Sequence, residues 1–187
     1  MADWTACLDA CVLVPMGLCD SLLSIARTGI YRPIWSDEIL AEVRRNLPQA
    51  EAADVEDRIA AMNEAFPDAL VGAWRPMLSA VPDAVDPKDR HVVAAALQGQ
   101  ANVIVTDNLR DFAPAALASL NLSVQSADEF LVSQFEVDPL LAAAGVRQQL
   151  ARLQRPPRTP AEHIELIRPS LPSYAEVLEE YLPLLGS

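Results

Sequence analysis

The apolar positions of this chain change period along its length. Trp4 to Leu8 is a short apolar run that reads as a buried strand ending at Asp9. Beyond Val12-Leu13-Val14-Pro15, the residues Leu18, Leu22, Ile25 and Ala26 recur at helical spacing, and Gly29 supplies a left-handed close. Tyr31 to Trp35 is extended again. Ser36 is placed to cap a helix whose apolar face is Ile39, Leu40, Val43 and Leu47, with Pro48 as its stop. Glu51 to Phe66 predicts a further amphipathic helix through Val55, Ile59, Met62 and Phe66.

From Pro67 to Pro82 the pattern weakens, and Ala69-Leu70-Val71 and Ala80-Val81 read as strand fragments. Asp86-Pro87 predicts a helix start, with Asp86 as cap, running through Val92, Val93, Ala96 and Leu97 to Gly99. Asn102 to Thr106 predicts a buried strand that stops at Asp107. Asp111-Phe112-Ala113-Pro114 leads into a short helix, and Leu122-Ser123-Val124 reads as a last strand. Ser126 and Glu129 spell a capping box for the helix that follows. Strands alternating with helices imply an α/β fold, a parallel sheet with helices on both faces. Right-handed crossovers then align the strand C-terminal ends on one edge, where such sheets bind ligands.

The last part of the chain has no strand signal. Asp138-Pro139 opens a helix reaching Leu153, the run Arg155 to Pro160 breaks it, and Thr159, Pro160 and Glu162 cap a second start. A third helix is expected from Ser173 to about Leu182. The expected division is therefore an α/β domain over 1–133 and a helical appendage over 134–187. The acids Glu162, Glu165, Glu176, Glu179 and Glu180 of this tail sit at spacings of solvated helix faces.

Composition narrows the classes. With 187 residues, 51% hydrophobic and 21% charged, the chain is not disordered. No run approaches the ~18 apolar residues of a membrane span, and Met1-Ala2-Asp3-Trp4 lacks a basic leader, so a cytoplasmic protein without membrane partners is expected. The formal charge of −12 lacks the basic surface of a generic nucleic-acid binder. Residues 1–133 hold 9 basic and 19 acidic side chains, which raises the question of carboxylates gathered around cations. Cys7, Cys11 and Cys19 lie in apolar sequence and read as reduced, buried thiols. His91 and His163 are too few for a histidine-based site, and Lys88, the only lysine, is not counted as a site residue.

Certain acids interrupt apolar sequence. Asp9 ends the first strand, Asp89 opens the helix before a buried strand, and Asp107 and Asp111 follow the strand ending at Thr106. Glu42 lies about 115° from the centre of its helix's apolar stripe, at the margin of the core. Each has a plainer reading: a turn residue at Asp9, a helix-dipole acid at Asp89, a solvated acid at Glu42, a turn and a cap at Asp107 and Asp111. As a set they fall at element ends on one sheet edge. Carboxylates ~4 Å apart repel by roughly 4 kcal/mol at an effective dielectric of about 20. A hard divalent cation, Mg²⁺ or Mn²⁺, is the natural compensation for oxygen-only ligands, and it suits phosphoryl chemistry.

Four stretches resemble one family. Leu8-Asp9-Ala10-Cys11-Val12-Leu13 is similar to the opening strand of a PIN domain, and Ser36 to Val43 to its first acidic helix. Asp86 to Ala96 is similar to its third motif and Val103 to Phe112 to its fourth. The resemblance covers roughly residues 5–133, and the tail resembles the extension of one subgroup of VapC-type toxins. It implies a metal-dependent ribonuclease with Asp9, Glu42 and Asp89 as metal-holding acids. The fourth position is left among Asp107, Asn108 and Asp111, with Thr106 orienting the turn. Cys11 stands where many members have Asn or Ser, which bears on how Asp9 is oriented.

The leading expectation is thus an endoribonuclease using Mg²⁺ or Mn²⁺, with Glu42 completing the site or orienting the attacking water. Arg44, Arg45, Arg90 and Arg110 flank the motifs and are candidates for RNA backbone contacts. The resemblance implies an antitoxin protein as partner, with a homodimer left open. The alternative is a weakly active PIN-like module that docks a protein. A haloacid-dehalogenase-like or receiver-type phosphoacceptor fits poorly, because Cys11 replaces a needed Asp and no lysine follows Lys88.

Overall fold

Five strands, all parallel, form one sheet in the order β3-β2-β1-β4-β5. They are seen in a computed structural model that describes residues 4–47, 54–153 and 158–186. The strands are β1 (Thr5–Leu8), β2 (Arg32–Ser36), β3 (Leu70–Val71), β4 (Val103–Val105) and β5 (Ser123–Gln125). The helices are α1 (Ala10–Leu13), α2 (Met16–Ala26), α3 (Asp37–Asn46), α4 (Val55–Ala65), α5 (Arg90–Gln98), α6 (Pro114–Leu117), α7 (Ala127–Val137), α8 (Pro139–Arg152), α9 (Pro160–Ile167), α10 (Pro172–Glu180) and α11 (Leu182–Leu185). This is the expected α/β class, a parallel sheet flanked by helices, together with a helical C-terminal region.

The order has a functional consequence. The chain builds outward from β1 through β2 to β3, then returns to β4 on the other side of β1. The segments leaving β1 and β4 therefore diverge, and a crevice opens at the C-terminal ends of the two strands. Both are buried along their whole length, which is why they read as unbroken apolar runs. They are pinned together at that edge by the Asp9 N–H, which donates to the Val105 carbonyl at 3.1 Å.

Residues group into two compact units. One comprises Asp3–Pro15 and Arg32–Ser126 and holds the sheet. In it α5 packs on β1, β2 and β4 through the buried run Val92 to Ala96, and α3 packs on β2 and α5. Ser36 caps α3 by accepting from the Ile39 N–H, as its sequence implies. The other unit comprises Met1–Ala2, Met16–Tyr31 and Ala127–Ser187, and its described residues contain no strand. There α2 packs against α8. Gly145 permits the approach, since a Cβ at that position would lie 2.8 Å from the Ile25 Cα. The edge of the Tyr31 ring meets Phe130 at 4.8 Å, and Asp138 and Thr159 cap α8 and α9. The boundary drawn from sequence at 133/134 falls within α7, which belongs whole to this unit.

Some local expectations change. Ala80-Val81 is not a strand: Arg75–Ala80 is a 3₁₀ turn, started by Pro76 and followed by Pro82, neither of which can donate to a ladder. Asp86 does not cap α5. Its carboxylate accepts from the Lys88 N–H at 3.1 Å and its carbonyl from the Asp89 N–H, so a separate turn precedes a helix beginning at Arg90. The last helix is split in two, α10 and α11. Pro48, the first residues of the helix expected from Glu51, and Arg155-Pro156-Pro157 lie outside the described residues.

Candidate active site

Asp9 sits where β1 turns into α1, only 3% exposed. One carboxylate oxygen, Oδ1, accepts from the Ala10 N–H at 2.6 Å, and Oδ2 accepts from the Thr106 hydroxyl at 2.7 Å. The Thr106 oxygen in turn accepts from the Asn108 N–H at 3.1 Å. Cys11 joins this arrangement. Its Sγ is 3.2 Å from both Asp9 Oδ2 and Thr106 Oγ1 and accepts from the Asp107 N–H at 3.3 Å. Burial, then the neighbouring Asp9 charge, pushes the Cys11 thiol up to about 12, so the sulfur keeps its proton and acts as a weak donor. Cys11 thus touches both the Asp9 carboxylate and the Thr106 hydroxyl. Arg58 donates to the Leu13 and Val14 carbonyls and closes the end of α1.

Asp89 is the residue just before α5, yet its side chain makes no capping bond. It is 6% exposed, and its Oδ2 is buried without a hydrogen-bond partner. Burial raises its carboxyl to about 6, opposed by Lys88 and helped by Asp9, Asp111 and Asp86. Asp89 thus stands where a helix-dipole acid would, but that reading does not explain a buried carboxylate oxygen left without a partner.

Lys88 corrects the sequence reading, which left it out. Its Nζ is 2.9 Å from Asp111 Oδ2 and 3.9 Å from Asp89 Oδ2. Asp86 is also part of the cluster, because Asp86, Asp89 and Asp111 each offer an oxygen within 4.8 Å of the others. Glu42, 23% exposed on α3, places Oε1 3.2 Å from His91 Nε2 and 3.6 Å from Arg45. Neither ring nitrogen of His91 has a hydrogen-bond partner, and the ring lies tilted 6.2 Å from Trp74. Asp86, Lys88 and His91 were missed because each was read singly. The signal available was their density in the single turn Asp86-Pro87-Lys88-Asp89-Arg90-His91.

A cleft of about 370 Å³ has Asp9, Cys11, Glu42, Lys88, Asp89 and Asn108 in its wall. Two roomier clefts, about 540 and 470 Å³, have no carboxylate in theirs. Asp111 meets the cluster through Asp89 and Lys88. Asp107 is exposed and outside the wall, and its backbone N–H donates to the Cys11 sulfur. Arg90 does not face the cleft as a free cation. It donates to the Leu78, Val81 and Pro82 carbonyls and ties down the 3₁₀ segment. Arg44 is engaged by Glu56 through two bonds, and Arg45 pairs with Glu38 and Glu42. Arg110 is exposed. The donor set is all oxygen, and the orphaned, buried Asp89 Oδ2 is the kind of atom that a hard cation satisfies. Asp86, Asp89 and Asp111 could hold one; of the acids expected from sequence, Asp9 lies in the same cleft wall as Asp89 but outside that close trio, and Asp107 lies outside both.

Comparison with known proteins bears on the same residues. The family model of the PIN domain matches residues 5–110, and one described as the VapC50 C-terminal domain matches residues 127–180. A Mycobacterium tuberculosis protein named "Putative ribonuclease VapC50" is 28% identical over 177 residues, covering 95% of this chain and 90% of that one. No solved structure gives a significant match.

Proposed function

This chain belongs to the PIN-domain family and carries a VapC50-type C-terminal region, and from that premise we propose that it is a metal-dependent endoribonuclease, the toxin of a bacterial toxin–antitoxin pair. The observation that carries the reading is Asp89: a buried carboxylate with an unpartnered oxygen, in one cleft wall with Asp9 and Glu42. The relative's name supports RNA as the substrate.

Asp9 and Asp89 would hold Mg²⁺ or Mn²⁺, with Asp111, beside Asp86, as the third acid and Asn108 at the fourth position. The cation supplies charge that stabilises the developing phosphate charge and makes a water more acidic. The rest is done by the chain. Thr106 and Cys11 keep the Asp9 carboxylate in one orientation, so little reorganisation is needed at reaction. Glu42, in the same cleft lining, would accept a hydrogen bond from the attacking water and orient it toward the phosphate. The partner is an antitoxin whose basic side chain enters the acid cluster, so its binding competes with Mn²⁺ and weakens with salt.

The test is RNA cleavage by the purified chain. Activity is expected with Mg²⁺ or Mn²⁺ and not with EDTA, and expression is expected to arrest growth until the product of the adjacent reading frame is co-expressed. Cleavage that survives EDTA overturns the metal-dependent reading. Cleavage without growth arrest leaves a nuclease and removes the toxin.

A further inference from the structure

The acidic cleft contains a cation of its own. Among the described residues, Lys88 is the one basic side chain in the wall formed by Asp9, Cys11, Glu42, Asp89 and Asn108. Its side chain is 62% exposed, so the stem is not fixed by packing. What fixes it is the 2.9 Å pair with Asp111, with Asp89 at 3.9 Å. The turn beneath it is set independently by Asp86, which accepts from the Lys88 backbone N–H. The ammonium can therefore leave Asp111 without disturbing the backbone. Three of the four arginines flanking the site motifs are committed elsewhere: Arg44 to Glu56, Arg45 to Glu38 and Glu42, Arg90 to three carbonyls; the fourth, Arg110, is exposed and does not line the cleft.

We propose that Lys88 is a movable counter-ion: without a metal it pairs with Asp111 and offsets part of the charge shared with Asp89, and when a divalent cation takes those carboxylates it swings to a phosphate of the substrate RNA. An ammonium and a divalent cation cannot share the same carboxylate oxygens without repulsion, so one displaces the other. The released ammonium stays in the lining of a cleft that also holds Asp9, Glu42 and Asp89, and a phosphate is the anion that the reaction brings there. Metal and RNA binding are then linked through one side chain, and the linkage is reciprocal. This inference rests on the ribonuclease reading for its second half only.

The experiment uses full-length wild type, Lys88→Gln and Lys88→Arg. Calorimetric titration with Mn²⁺ alone reads the first half. Lys88→Gln is expected to bind Mn²⁺ about two- to fivefold more tightly, the scale of one solvent-screened charge, and Lys88→Arg to match wild type. Unchanged or weaker Mn²⁺ binding in Lys88→Gln overturns the proposal. Binding of a cleavage-resistant 2′-O-methyl oligoribonucleotide reads the second half. With Mn²⁺ the salt slope of Lys88→Gln is expected to be lower than wild type by about one. Without Mn²⁺ the two slopes coincide, because Lys88 is then held by Asp111. Equal slopes in Mn²⁺, or different slopes without it, overturn the transfer to phosphate. Tighter Mn²⁺ binding with no RNA binding by any of the three proteins keeps the counter-ion and removes the ribonuclease reading instead.

Discussion

Asp89 and His163 are both buried side chains with unpartnered polar atoms, one in each unit of the molecule. Their surroundings give them opposite meanings. Burial pushes the His163 imidazole down from its ordinary value, Arg158 adds to this, and Asp20 opposes it. Losing the proton removes the charge, and the neutral ring is left with two unmade hydrogen bonds, one at each nitrogen, and no buried charge. Asp89 has no such escape. Protonating it leaves Asp9, Asp86 and Asp111 nearby, and Lys88 reaches only part of the cluster. A buried orphan atom therefore marks a site where its neighbours are charged groups that one proton cannot neutralise.

The largest effect expected is at Asp89. Asp89→Asn should reduce cleavage by more than about 10²-fold, since even disturbing an outer partner of a metal ligand costs up to that much. It should not lower the melting temperature, because it removes a charge from a repelling cluster. The sign with pH follows from the raised carboxyl. Its contribution favours the fold fully below the ordinary carboxylate range and is lost as pH climbs through about 6. Metal-free wild type should thus lose stability relative to Asp89→Asn between about pH 4 and pH 6. A variant that melts early at neutral pH would return Asp89 to a structural role.

Next in size is Thr106→Val, which keeps shape and removes the hydroxyl that holds Asp9. Cleavage should slow by about 10- to 100-fold with the melting temperature nearly unchanged. Single-turnover kinetics at saturating Mn²⁺ checks it, and an unaltered rate would mean that Cys11 alone orients the carboxylate.

These effects explain what was legible in the sequence. Asp9, Glu42 and Asp89 stood out because acids that break apolar runs have few reasons to be there, and the strand–helix alternation carried the sheet. Lys88, Asp86 and His91 did not stand out. Their roles depend on the turn at Asp86-Pro87, which sets the backbone outside helical phase and gathers side chains that helical spacing would spread apart. Arg90 misled for the same reason: adjacency to a motif does not show which carbonyls a side chain reaches. Nor does periodicity reveal that α2 groups with α8 rather than with the sheet, because an apolar face encodes burial and not its partner.

The helical unit is tested by Gly145→Val. The new side chain would begin 2.8 Å from the Ile25 Cα and 2.9 Å from the Ser24 carbonyl, both backbone atoms that cannot turn aside. A loss of about 1–3 kcal/mol is expected in denaturant unfolding, with Mn²⁺ affinity unchanged. A parallel loss of Mn²⁺ affinity would show that the acid cleft depends on the packing of α2 and α8.

The smallest effect sharpens the comparison from the side of His163. Its folded value is depressed, so the unfolded chain binds a proton more readily than the folded one. The stability it permits is complete above the ordinary histidine value of about 6.5 and declines as pH falls below it. His163→Leu removes the group while keeping an apolar side chain of similar bulk. Subtracting the variant's urea unfolding profile from that of wild type between pH 5 and pH 8 isolates this term. The difference should be flat above about pH 7 and should turn against wild type on acidification. It should be the same with and without Mn²⁺, since His163 belongs to the helical unit and the cation ligands to the sheet unit. A difference that moves with Mn²⁺ would mean that the two buried groups answer to the same event, and the contrast drawn between them would fall.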